Sequence, residues 1–217
     1  MRPSELLSVK TEFVPPTPKG RERVENLLSV ATEVFLAQGY DGASLEDIIS
    51  KSGGSRATVY RAFGGKQQLF EAVIESICNG YNRQLSSIDY AADSFEAGFR
   101  RLAVSLVDIA VDERQVAFYR LVLGNTARFP VVGTTWYSKG VGAVSAVFQN
   151  FLRSHITADQ RDDEWIRSLA DALQGTLVFC LLSNAATSLV TPPAGERSAA
   201  IETATRLATM AYEASAK

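Results

Sequence analysis

Two Gly-Gly pairs, Gly53-Gly54 and Gly64-Gly65, cut the chain after residue 44 into pieces short enough for only brief, individually capped helices. Ser44 followed by Asp47 resembles a capping box, with aspartate in place of the usual Glu or Gln. Leu45, Ile48 and Ile49 then give that piece a small apolar face. Glycine at 53 and 54 permits the left-handed backbone that closes a helix. Ser55 can cap the next piece, which turns Val59 and Phe63 inward before Gly64-Gly65 ends it. Lys66 opens a longer helix through Leu69, Phe70, Val73, Ile74 and Ile77 to about Ser87.

The flanks are helical too. Val24, Leu27, Leu28, Ala31, Val34 and Phe35 recur at steps of three and four, which predicts an amphipathic helix from Gly20 that Gly39 stops. Four of the seven prolines fall within residues 1–18, which read as a disordered arm. Beyond Asp89 the spacing predicts helices near 93–110, 113–126, 133–155, 163–190 and 196–215. No stretch alternates with period two over a strand's length. The expected fold is all-α: an N-terminal three-helix head over 19–65 and a larger helical domain over 66–217, whose first helix is the connector.

Composition removes several classes of function. One histidine, His155, leaves no imidazole-based metal site or Ser-His-Asp set, and it reads as a solvated residue near a helix end. Asp162-Asp163-Glu164 is most simply a helix N-terminal charge cluster, so no catalytic residue, metal or cofactor is expected. Cys78 and Cys180 sit in apolar surroundings and form no redox motif. Two buried free thiols in a reducing cytoplasm are expected. The most apolar stretch, 175–182, falls short of the roughly 20 residues of a spanning helix, and no signal-peptide pattern opens the chain, so a cytoplasmic protein without a membrane partner is expected.

Charge is local. The chain carries 22 Lys and Arg against 24 Asp and Glu, yet Ile48 to Phe70 holds Lys51, Arg56, Arg61 and Lys66 and no acid. Residues 44–63 therefore fit a helix-turn-helix, in which a short helix braces a second one for a major groove about 12 Å wide. In the second helix Arg56, Ala57, Thr58, Tyr60 and Arg61 are left for the groove and the DNA backbone. Ser44, Ser55 and Lys66, at three helix starts, suit phosphate contacts. Tyr60 suits a phosphate oxygen, Arg56 a guanine edge, and the Thr58 methyl a thymine. Lys51, on the bracing helix, reads as a solvated residue.

From Glu25 to Val73, the residues Phe35, Gly39-Tyr40, Ser44, Ile48, Ser55, Thr58-Val59-Tyr60, Phe63, Lys66, Leu69 and Phe70 keep the spacing of a known domain. The stretch resembles the DNA-binding domain of the tetracycline-repressor (TetR) family. It departs from the family pattern at Ser52-Gly53-Gly54-Ser55, where Ala-Gly-Val-Ser is usual, and at Ala57, Ala62 and Gly65. The resemblance implies a homodimeric transcriptional regulator, usually a repressor, on palindromic double-stranded operator DNA. In such a regulator a small molecule bound in the C-terminal domain releases the DNA.

Phe118 to Pro130 is similar to the AefR-type C-terminal subclass. Aromatic residues cluster in and around it, and Phe118, Trp136, Tyr137 and Phe148 are the candidate contacts for a small apolar or amphipathic effector. The last two long helices are rich in alanine and glycine beside leucine stripes, compatible with the four-helix dimer interface that the resemblance implies. The competing reading is a helical ligand-binding protein with a vestigial DNA-binding head.

Overall fold

The computed structural model describes residues 17–156 and 161–215, and among these it contains helices and no strand. Eleven α-helices are described: α1 (Pro18–Gly42), α2 (Leu45–Ser52), α3 (Arg56–Ala62), α4 (Lys66–Ser86), α5 (Phe95–Ala110), α6 (Glu113–Asn125), α7 (Pro130–Trp136), α8 (Gly142–Arg153), α9 (Asp163–Gln174), α10 (Cys180–Ser188) and α11 (Ala194–Ser215). Single π-helical turns, Tyr137–Val141 and Gly175–Phe179, join α7 to α8 and α9 to α10. The chain divides into two compact units, one holding residues up to Asn79 together with Leu121–Trp136, the other holding Gly80–Arg120 and the chain from Tyr137 onward. These units cut the chain at other places than a division after residue 65.

The first unit is built around α1. Most of the expected arm, residues 1–16, lies outside the described residues. Its end is helical: Pro18 occupies the first turn of α1, and the Thr17 hydroxyl accepts a hydrogen bond from the Gly20 amide at 3.1 Å. A proline with its fixed φ and missing N–H starts a helix at no cost, so the helix begins two residues before Gly20. Gly39, at φ 70°, breaks the helix where expected, though helical turns resume to Gly42. Leu27, Ala31, Phe35, Ile48, Val59, Leu69, Phe70, Val73 and Ile74 are all buried in this unit. Each large aliphatic or aromatic side chain among them contributes about 1.5–3 kcal/mol by leaving water. Phe129 joins them, with its ring 4.6 Å from Tyr40 and 5.9 Å from Phe70.

In the second unit α11 packs along α5 and α8 along α9. Phe99, Leu102, Leu106, Phe148, Phe151, Leu173, Leu177, Ala204 and Ala208 fill its core. Phe95 stacks on Tyr212 at 4.3 Å with the planes 2° apart. Gly98 is required by close approach, since a Cβ there would lie 2.9 Å from the Tyr90 carbonyl oxygen. Arg120 donates to the carbonyls of Ala185 and Ala186, satisfying acceptors of the last turn of α10.

Three expectations are corrected. His155 follows the end of α8 but is half-buried, and its ring lies 4.6 Å from Phe151 and 5.3 Å from Phe95. Phe151, one turn earlier in α8, and Phe95 of α5 draw the imidazole in, which a count of charged neighbours does not reveal. Neither thiol is in a disulfide, but only Cys78 is buried; Cys180 is exposed, because the π turn before it rotates the start of α10. Because the π turn also keeps the chain helical, Asp163–Ser188 is one span of 26 residues, and an 18-residue window within it, with a mean hydropathy of 1.3, is long and apolar enough to cross a membrane by composition. Half of that window is buried inside the protein, and Ile166, Ala170, Leu173, Leu177 and Leu181 belong to the second unit's core.

Candidate nucleic-acid interface

The candidate interface is built from three helix starts in succession. Ser44 caps α2, its hydroxyl accepting from the Asp47 amide at 3.0 Å. Gly53, at φ 64°, ends α2, and its amide and that of Gly54 return to the Ile49 carbonyl. This turn also accepts a tie from α1, where the Asn26 amide donates to the Ser52 carbonyl at 2.9 Å. Ser55 then caps α3, its hydroxyl accepting from the Thr58 amide at 3.2 Å. Gly64 and Gly65, at φ 95° and 148°, carry the chain into α4 in backbone that a side chain would strain.

On this frame α3 is anchored by one fully buried side chain and open on its outer face. Val59 is fully buried and Phe63 half-buried, while Arg56, Ala57 and Arg61 are exposed and Tyr60 keeps 55% of its surface. The structure thus brings Ser55, Arg56, Ala57, Thr58, Tyr60 and Arg61 onto one short helix with its capped N-terminus, and places Ser44 at the start of the bracing helix. Thr58 is half-buried, and its hydroxyl lies 3.0 Å from that of Ser55, so its methyl is the part left for another contact. Lys66 begins α4 with its ammonium 4.5 Å from the centre of the Tyr40 ring. Lys51 is exposed in the last turn of α2.

One partner escaped the sequence reading. Arg56 donates from Nη2 to Oε1 of Glu46 in the first turn of α2, with both side chains mostly exposed. The two stand ten positions apart across a Gly-Gly turn, so no helical spacing announces the pair. The only available signal was the isolation of a basic segment directly after an acidic Glu46-Asp47.

The four candidate effector residues have different surroundings. Phe118 is buried, with its ring 6.0 Å from Tyr81, and Phe148 is buried in the second unit's core, 6.0 Å from Phe99. Trp136 is half-buried, and Tyr137, in a π turn, keeps 69% of its surface exposed. Among the described residues no group of three or more His, Cys, Asp or Glu is disposed to hold a metal ion.

Comparison with known proteins agrees with this geometry. Residues 27–73 match the profile of the bacterial regulatory proteins of the tetR family, and residues 97–214 that of the AefR-like transcriptional repressor C-terminal domain. The transcriptional repressor Rv3405c of Mycobacterium tuberculosis is 30% identical over 131 residues, 60% of this chain and 69% of its own length. The regulator SrpR of Pseudomonas putida is 26% identical over 106 residues, 48% of this chain and 47% of its own, so the chain spans about half of that relative. Among solved structures, a TetR-family transcriptional regulator from Mesorhizobium loti superposes with a TM-score of 0.78 at 27% identity, covering 90% of this chain and 98% of that one. Both halves of the sequence and the fold therefore lead to one assignment, and the chain belongs to the TetR family of helix-turn-helix transcriptional regulators.

Proposed function

We propose that the protein is a repressor that binds a palindromic operator as a homodimer and is released by a small molecule bound in its C-terminal domain. The observation that carries this reading is α3 itself, capped at its N-terminus, anchored through Val59, and presenting Arg56, Ala57, Tyr60 and Arg61 to solvent. In a major groove Arg56 would take a guanine edge and the Thr58 methyl a thymine. Tyr60, Arg61, Lys66 and the capped starts at Ser44 and Ser55 would hold phosphates. The chain then divides by role into a DNA-binding domain over 19–65 and an effector-binding and dimerisation domain over 66–217, in the cytoplasm.

Dimerisation through the last two long helical spans is favoured by their exposed faces. Ala172, Gly175, Thr176 and Cys180 form a small-residue stripe on the first, and Leu207 and Met210 stand out on α11 at 46% and 66% exposure. The effector site is assigned to Phe118, Trp136, Tyr137 and Phe148, for an apolar or amphipathic compound. Support comes from the π turn that carries Tyr137, since such turns recur at functional sites. A two-fold dimer sets the recognition helices about 34 Å apart or a multiple of that. An effector acts by binding better to a spacing the operator does not accept, so operator and effector must weaken each other by the same factor.

Selection of bound sequences from a random DNA pool at physiological salt tests the reading. A palindromic motif is expected. A folded, dimeric protein that selects nothing would instead be a ligand-binding protein with a vestigial head.

A further inference from the structure

We propose that Glu46 is a specificity-determining residue, which holds the Arg56 guanidinium in the orientation that reads guanine. The proposal rests on the reading of α3 as the helix that enters the major groove. Arg56 stands at the first position of α3 and Glu46 in the first turn of α2, and the two are hydrogen-bonded through Nη2 and Oε1. Side-chain exposures of 68% and 59% mean that the pair contributes little to folding stability. Its consequence falls on orientation. An arginine carries its fork on a long flexible stem, and ordering that stem at the moment of binding opposes affinity. A partner that orders it beforehand removes part of that opposition.

The geometry of the fork allows both contacts at once. Guanidinium has five N–H donors in one plane, and Oε1 of Glu46 engages the Nη2 end. The remaining donors suffice for the bidentate contact to O6 and N7 of guanine. Electrostatics point the same way. From Ile48 to Phe70 the sequence has no acid, so Glu46 is a negative charge at the margin of an otherwise basic surface. Facing phosphates unpaired, that carboxylate would repel DNA, whereas with Arg56 beside it the charge is neutralised in place. The pair is therefore coupled: Glu46 serves base reading only through Arg56, and Arg56 masks the cost of Glu46.

The coupling gives a signature that a solvated ion pair would lack. The full-length protein and its E46Q, R56A and E46Q/R56A variants are put through sequence selection, followed by competition between the selected duplex and a scrambled duplex. The wild type is expected to prefer guanine at one position of each half-site. E46Q and R56A should each lower that preference at least about fivefold, the smallest discrimination typical of a bidentate arginine–guanine contact. The double variant should lose no more preference than R56A alone. On scrambled DNA, R56A should bind more weakly than E46Q/R56A, because only R56A leaves the carboxylate unpaired. Thermal melting of each variant verifies folding. Retention of the guanine preference by E46Q overturns the proposal, as does tighter operator binding by E46Q with an unchanged motif, which would make Glu46 a brake on Arg56. If the wild type selects no motif, the failure lies with the DNA-reading assignment, and this proposal falls with it.

Discussion

Phe129 meets Tyr40 edge to face, with ring centres 4.6 Å apart and planes 60° apart, and the neighbouring residues repeat the pairing as Arg128 donates to Asp41 at 2.7 Å. The segment after α6 is thereby fastened to the end of α1 within the first unit. The two fastenings differ in strength. Phe129 is 7% exposed and also lies 5.9 Å from Phe70, while Arg128 and Asp41 are 56% and 82% exposed.

Phe129→Ala is therefore expected to cost about 3 kcal/mol, the low end for a buried phenylalanine. Arg128→Ala is expected to cost less than about 1 kcal/mol, even with its guanidinium 5.0 Å from the Tyr40 ring. Chemical denaturation measures both, and hydrogen exchange should localise the loss to α1 and the start of α4. Equal costs for the two variants would mean that the exposed ion pair fastens the segment as firmly as the aromatic contact does.

The two capped serines separate stability from DNA contact. Ser55 satisfies the Thr58 amide and also bonds the Thr58 hydroxyl, while Ser44 satisfies only the Asp47 amide. Alanine at either position should cost about 1 kcal/mol of stability. If both caps also lie against phosphates, each variant should bind DNA more weakly across all sequences, with the selected motif unchanged. A changed motif in Ser55→Ala would mean that the cap orients the base-reading side chains of α3.

Arg100 joins α5 to α11 through Glu202, at 2.8 Å. Its hydrogen bond and its charge hold the Glu202 carboxyl below the usual glutamate range, and the bond to Glu202 raises Arg100 in turn. A carboxylate with a lowered pKa in the folded state adds stability above its ordinary value and loses it as pH falls through the lowered one. Glu202→Gln should thus melt slightly below the wild type at neutral pH and together with it in acid. The effect should also shrink in high salt, since the pair is exposed. A difference that persists in acid would assign the contribution to packing.

The head was legible because its signals are local. Ser44, Gly53, Ser55 and the Gly64-Gly65 pair each act on the next few backbone groups, and the structure has them as caps and turns at those positions. What stayed hidden depends on residues distant in sequence or on helical phase. Phe129 read as one of a cluster of body aromatics, yet its partners are Tyr40 and Phe70. Cys180 read as buried because its neighbours are apolar, but the π turn of Gly175–Phe179 shifts the phase and exposes it. Glu46 offered no motif at all, since its role depends on where a Gly-Gly turn delivers Arg56.

The departure at Gly54 gives the last test. Where related turns carry an apolar residue, this chain has glycine, and a Cβ there would lie 3.8 Å from Leu27 and 3.2 Å from the Ser52 hydroxyl. The first distance is ordinary packing contact, so the site faces the α1 core as a staple would. The second is tight, and relieving it means turning the Ser52 hydroxyl away from its 3.2 Å bond to the Ile49 carbonyl. Gly54 is not among the residues with positive φ, so alanine restricts the unfolded chain without straining the folded one, a gain of about 0.4–1 kcal/mol. Gly54→Ala alone should be close to neutral, the gain offset by the crowded hydroxyl. Added to Ser52→Ala, which removes the hydroxyl, it should stabilise by that amount. Denaturation of the single and double variants measures the difference, and a double variant no more stable than Ser52→Ala would show that the turn needs glycine for its backbone rather than for lack of a clash.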